Sequence, residues 1–321
     1  MRPDQEYIYN FSATEKPLST EERAVFDHYE NNPEDRAMRD RPWQFIQMDK
    51  FNDIYGRNIV SSDKRIVTEH YRENKKDFNA RGMLMEFFIS QAETADWFGE
   101  NCSIHRSSKY DDIKNYTDLV FEWEDKKGEV ARLAVDCTIN SDEFGLDEKS
   151  EGIMRKLYRG ELSSLKYHQP ESTEEKREIK QVPQVLMILD SEKIKELSEI
   201  FSRVIKKEPG SKNQFSESHI QLVLLEEVNI QLGYQLSELK KVIVQNRDDK
   251  FRINAQKSIE KVLDIVRTLI KEKKSSLDKK EVQRANEVWS HAQFCAYLRN
   301  IPQIRQNRLS FDANRANLAS A

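Results

Sequence analysis

Glycine is scarce in this chain, nine residues in 321, and none fall at the spacing of a phosphate-cradling loop. That argues against nucleotide-binding folds built on such loops. Cysteine is scarcer still: Cys102, Cys137 and Cys295 form an odd, scattered set without metal-ligand spacing. They read as reduced residues of a cytoplasmic protein rather than as a disulfide framework. No apolar run approaches the roughly 18–20 residues of a bilayer span. Residues 1–7 also lack the apolar stretch of a secretory signal, so no membrane partner is expected. Gly-x-Ser-x-Gly and His-Glu-x-x-His are both absent. His70, His105, His168, His219 and His291 are dispersed and read as surface or internally satisfied residues.

What the chain does have is charge, unevenly placed. Hydrophobic residues make up 37% and charged residues 34%, a polar composition that still exceeds a disordered one. The formal net charge of −4 hides an asymmetry. Residues 246–321 hold 16 Lys and Arg against 9 Asp and Glu, a balance of +7, which leaves −11 for the remainder. Basic C-terminal residues can neutralise phosphates of a nucleic acid, or serve as solvated faces of amphipathic helices.

One passage reads as chemistry. Residues 118–123, Asp-Leu-Val-Phe-Glu-Trp, and residues 132–138, Arg-Leu-Ala-Val-Asp-Cys-Thr, are apolar, β-branched and aromatic runs, each carrying an aspartate. Glu124-Asp-Lys-Lys-Gly-Glu129 supplies a polar turn between them, so the two runs are predicted to form a hairpin. Antiparallel pairing brings Asp118, at the start of one strand, beside Asp136, at the end of the other. Two carboxylates placed there either repel or share a hard cation that seeks oxygen. Cys137 is expected on the opposite face, in packing. Asp111 and Asp112 precede the first strand, where acids serve turns and where a carboxylate can also reach a second cation.

This arrangement resembles the PD-(D/E)XK nuclease superfamily over roughly residues 78–205. The resemblance implies an α+β, restriction-endonuclease-like core that runs helix, β-meander, helix, strand, helix. The matching segments are a helix over 79–98, the hairpin, a helix over 147–165, a strand over 182–189 and a helix over 191–207 capped by Ser191. It also implies Mg²⁺ or Mn²⁺ as cofactor, held by Glu86, Asp118 and Asp136, and a nucleic acid substrate, DNA ahead of RNA. The family's lysine two positions beyond the second acid is replaced by Thr138. Similar sequences with an aspartate-x-threonine strand end carry a lysine in the next helix. Lys149, Ile153, Gly160, Leu162, Lys166 and Tyr167 match that pattern, so Lys149 or Lys156 is the expected catalytic partner of Asp118 and Asp136. The lost strand lysine leaves a second expectation open, an inactive nuclease-fold scaffold.

The expected organisation has four parts. Residues 1–77 form an N-terminal helical extension, with Ser19 and Glu22 as a capping box and a helical stripe over 43–55 that stops at Gly56. Residues 78–208 form the nuclease-like α/β core, with a charged surface loop over 168–181. Residues 215–300 form a C-terminal helical domain beyond a boundary at 208–214, and 301–321 form a polar tail. In the C-terminal part, apolar stripes run through Ile220, Val223, Leu224, Val228, Leu232, Leu236, Leu239 and Val242, and through Ile259, Val262, Leu263, Val266, Leu269 and Ile270. These stripes build either a helical bundle or a surface for a second copy or a helical protein partner. A further helix is expected over 277–298.

Overall fold

The computed structural model describes residues 17–32, 47–73, 79–139, 143–168, 178–245 and 249–289. Helix α1 (Thr20–Asn31) opens on the expected capping box: Glu22 N–H donates to Ser19 Oγ, and Ser19 N–H donates to Glu22. Its Val25, Phe26 and Tyr29 enter the core, and Glu22 pairs with buried Arg81 at 2.7 Å. Helix α2 (Asn52–Tyr55) ends at Gly56 (φ +80), and the chain re-enters a helix at once as α3 (Arg57–Glu73). Residues 43–46 of the expected stripe lie outside the described residues.

Helix α4 (Ala80–Gln91), capped by Asn79, underlies a four-stranded sheet. The sheet contains β1 (Cys102–Arg106), β2 (Leu119–Glu124), β3 (Val130–Ile139) and β6 (Gln184–Leu189). Strand order is β1-β2-β3-β6. The first three form an antiparallel meander, and β6 runs parallel to β3. Short helix α5 (Lys109–Asn115) fills the β1–β2 connection. Leu119, Phe121, Leu133, Val135 and Met187 pack on the main core, while Val120, Ala134, Leu186 and Ile188 are buried on the opposite face. Both faces are covered, which is why the strands read as continuous apolar runs rather than alternations.

The connection from β3 to β6 departs from the expected long helix. Helix α6 (Glu143–Tyr158) stops seven residues before position 165. Gly160 (φ +77) then turns the chain so tightly that an added Cβ would meet the Arg252 backbone nitrogen at 3.1 Å. Residues 163–165 form strand β4 (Ser163–Leu165), paired with β5 (Ile179–Val182) where a loop and the first residue of a longer strand were expected. Pro183, which lacks an N–H, separates β5 from β6. Helix α7 (Ser191–Ile205) is capped by Asp190, whose side chain accepts from Lys193 N–H, and not by Ser191. Lys166 and Tyr167, just after β4, anchor the N-terminal helices. The Lys166 ammonium lies over the rings of Tyr55, Tyr110 and Tyr167 and is 2.5 Å from Asp63.

After α8 (Ser211–Ser216) come α9 (Ile220–Gln245), α10 (Lys250–Ser276) and α11 (Lys279–Trp289). The apolar stripes of α9 and α10 meet each other and the sheet within one buried cluster that also contains α4 and α7. The segment over 208–214 does not interrupt that cluster: Phe215 stacks on Trp97, and its carbonyl accepts from Trp97 Nε1 at 3.0 Å. Residues 290–298 of the last expected helix and the tail lie outside the described residues. No described helix is long and apolar enough to cross a membrane.

Candidate functional site

The hairpin register places the acids. Leu119 pairs with Val135, so the next step along both strands sets Asp118 opposite Asp136. Asp118 continues both ladders: its N–H donates to Val135 O at 2.9 Å, and its carbonyl accepts from Ser107 N–H at 2.9 Å. Side chains directly opposite in an antiparallel pair have Cβ atoms about 5 Å apart and share a face. Asp118 Oδ2 accepts from Cys137 N–H at 2.7 Å, while Cys137 packs its own side chain in the core.

Asp136 is 2% exposed, and its two oxygens are treated differently. Lys149, from the first half of α6, donates to Oδ1 at 2.7 Å. Oδ2 is buried and has no hydrogen-bond partner among the described residues. A buried carboxylate oxygen left without a donor is costly, so it marks a place for a ligand, an ion or a water. Thr138 carries a hydroxyl on the strand, and the ammonium that reaches Asp136 is that of Lys149, from the helix. Lys156, two turns further along α6, lies beside Glu161, and burial lowers its pKa. It does not join this group.

Two more acids bear on the pair. Burial raises the Asp118 carboxyl well above the ordinary range, and the charges of Asp112, Glu86 and Asp136 add to that. Burial also raises Asp136, to about 6; Lys149 opposes the shift, and Asp112 and Glu86 reinforce it. Burial works against the Lys149 ammonium, but Asp136 and Asp118 outweigh it and hold its pKa above the ordinary lysine value. Glu86, on α4, is 3.2 Å from Arg106 at the end of β1, and Asp112, on α5, is 2.6 Å from Lys109. Asp111 has a separate duty. It is fully buried and accepts from Ser108, Asn115 and the N–H groups of Lys166 and Tyr167.

Arg106 escaped the sequence reading because β1 did. Cys-Ser-Ile-His-Arg has one aliphatic residue, and the alternation of buried Cys102 and Ile104 with Ser103 and His105 is too short to stand out. The histidines His105 and His168 flank Glu122 on the sheet, at 3.6 and 3.2 Å, beside Arg132. His291 lies outside the described residues.

The donor chemistry suits a hard cation. Mg²⁺ commonly takes one or two carboxylates and completes its shell with waters and substrate oxygens. Asp118 and Asp136 offer such a pair, with one buried oxygen unclaimed. Among the described residues, no three His, Cys, Asp or Glu side chains stand as a ready metal cluster, and Lys149 and Arg106 engage oxygens of Asp136 and Glu86. No family model matches the chain, and no curated protein or solved structure does either.

Proposed function

We propose that this protein is a metal-dependent nuclease that hydrolyses phosphodiester bonds, with DNA as its substrate ahead of RNA. The observation that carries the reading is the convergence of Asp118, Asp136 and Lys149 at one sheet end, with Asp136 Oδ2 buried and unpartnered. The element order supports it too: α4, the β1–β3 meander, α6, parallel strand β6 and α7 follow the order of a restriction-endonuclease-like core. Asp118 and Asp136 would hold Mg²⁺ or Mn²⁺, with Glu86 or Asp112 as further acidic donors. When bound, the cation polarises phosphoryl oxygens and makes water a better nucleophile at neutral pH. Lys149, held charged by the acids, offsets negative charge that develops on the phosphate and orients the attacking water. The Cys137 N–H fixes the Asp118 carboxylate in place.

A second reading has its own observation. Lys149 on Asp136, Arg106 on Glu86 and Lys109 on Asp112 give three of the four acids cationic partners, as a nuclease-fold scaffold without activity would need. One variant separates the two. Asp136→Asn keeps the shape and removes the charge. Without metal it should melt no lower than the parent protein, because burial and the neighbouring acids disfavour the Asp136 anion. Saturating Mg²⁺ should raise the melting temperature of the parent, by mass action worth about 2.7 kcal/mol at a hundredfold excess over Kd. The variant should respond little, and its metal-dependent cleavage of single- and double-stranded DNA and RNA should fall by orders of magnitude. Equal metal responses with no cleavage by either protein would establish the scaffold.

A further inference from the structure

Helix α5 ends at Asn115, and the next residue, Tyr116, caps it in the left-handed conformation (φ 53, ψ 51), its N–H donating to Asp112 O at 3.0 Å. That position favours glycine, with asparagine next, because a Cβ crowds the following carbonyl there. The surroundings nevertheless hold the turn firmly. Gln184, itself buried, donates its Nε2 to the carbonyls of both Asn115 (2.8 Å) and Tyr116 (2.7 Å). Asn115 donates in turn to Asp111, the buried acid that ties α5 to the strand after α6. So an unfavourable backbone conformation is fixed from several sides, and the residue placed in it is a large aromatic.

Tyr116 is 54% exposed, and its ring and hydroxyl make no hydrogen bond, ion pair or ring contact among the described residues. By contrast, Tyr55, Tyr110 and Tyr167 pack edge to face around Lys166. Tyr116 stands two residues before Asp118 in the chain, and its N–H is bonded to the carbonyl of Asp112. Backbone strain kept where a less strained residue would serve points to a use for the side chain. A neutral phenol ring has no charge for a phosphate, but its face stacks on a base. Such stacking tolerates any sequence and requires a base free of its own duplex stack.

We propose that Tyr116 is a stacking platform for an unpaired nucleobase beside the scissile phosphate. The substrate class is then a single strand, or the unpaired end of a duplex. This inference rests on the nuclease reading of the acid cluster.

The test compares the full-length parent with Tyr116→Gly and Tyr116→Phe. Fluorescence anisotropy follows binding of a labelled single-stranded oligonucleotide, the same strand with abasic sites, and a blunt duplex. Ca²⁺ is present, since it seeks the same oxygen donors as Mg²⁺. Tyr116→Gly should weaken single-strand binding by roughly tenfold, within the range for loss of one stacked base. Tyr116→Phe should bind like the parent. Abasic sites should weaken the parent to the level of Tyr116→Gly and leave Tyr116→Gly unchanged. Tyr116→Gly should also melt at or above the parent temperature, since glycine accepts the left-handed turn. Undiminished binding by Tyr116→Gly overturns the platform, as does an equal loss on strand, abasic strand and duplex. A melting temperature lowered by several degrees in Tyr116→Gly also overturns it, because the ring would then serve the fold. If the parent binds none of the oligonucleotides, the nuclease reading fails and takes this inference with it.

Discussion

Asp111 and Asp112 are adjacent and chemically identical, yet one is a structural acid and the other bears on the site. The difference is rotation. Successive residues of a helix point about 100° apart. In α5 this sends Asp111 inward to the backbone of Lys166 and Tyr167, and leaves Asp112 to raise the pKa of Asp118 and Asp136. The same scale decides how the sheet's other ionic group behaves. Burial pushes the Glu122 carboxyl upward, but the hydrogen bond and charge of His168 and the charge of Arg132 overcome this and lower it to about 2. A depressed carboxylate stabilises the fold above its unfolded pKa, near 4.5, and loses that contribution as pH falls towards 2. With solvent screening allowed for, the loss is about 2 kcal/mol. Glu122→Gln should therefore flatten the acid limb of the stability curve between pH 5 and 2.5 in urea melts. Parallel curves for the two proteins would remove Glu122 as the cause. Asp118 and Asp136 could be read from sequence because each flanks a recognisable strand run, whereas Lys149 came from the resemblance and lies well inside its helix, six residues past Glu143. Asp112 and Arg106 could not. One needed the rotation of a two-turn helix, the other a strand whose residues are mostly polar.

At the scale of elements, the last strand of the sheet shows how an edge is closed without another strand. An open edge presents unpaired N–H and C=O groups and invites association. Here Glu227, Gln231 and Gln235, spaced by four on α9, reach the β6 backbone. Gln231 accepts from Leu186 N–H and donates to Leu186 O, Gln235 donates to Gln184 O, and Glu227 accepts from Ile188 N–H. The spacing is plain in the sequence, but it falls within an apolar helix, where three polar residues look like a solvated face. Glu227 is the outlier in this ladder. Burial raises its pKa to about 8, against the opposing pull of the Ile188 N–H and of Lys193. It is a neutral acid at pH 7, doing what a glutamine would do. A raised folded pKa means that this group's contribution is complete below the unfolded value near 4.5. It is then lost at about 1.4 kcal/mol per pH unit up to about 8. Glu227→Gln should thus stabilise the protein by about 3 kcal/mol at pH 7 and little at pH 4. Thermal or urea melts at the two pH values check this, and a gain independent of pH would show that Glu227 is not held neutral. The short strands β4 and β5 escaped prediction for a related reason. Three and four residues give no period to read, and the turn at Gly160 that precedes β4 packs against Arg252, far away in the sequence.

The ladder has a consequence for the whole molecule. Composition marks residues 208–214 as a boundary because Pro209 and Gly210 break the helix, yet the packing runs through it. Trp97 stacks on Phe215, and Leu224, Val228 and Leu232 of α9 share a buried cluster with Phe87, Phe201 and Val185. The sheet's outer edge, its main core face and the C-terminus of α6 all depend on α9 and α10. Tyr158 illustrates the last of these: its hydroxyl donates to Glu238, and its carbonyl accepts from Arg252. Interfaces between independent domains are more polar than this and separate readily. The α/β part and the C-terminal helices should accordingly unfold together, in one transition. Tryptophan fluorescence, to which buried Trp97 and Trp123 contribute along with Trp43 and Trp289, should overlay far-ultraviolet circular dichroism, dominated by the helices, through a urea titration. A fragment ending at Gly210 should lack a cooperative transition and self-associate, since it bares the β6 edge and the apolar face that α9 covers. A monomeric fragment of residues 1–210 that melts cooperatively would show instead that the α/β core is a domain in its own right, with the C-terminal helices added to its surface.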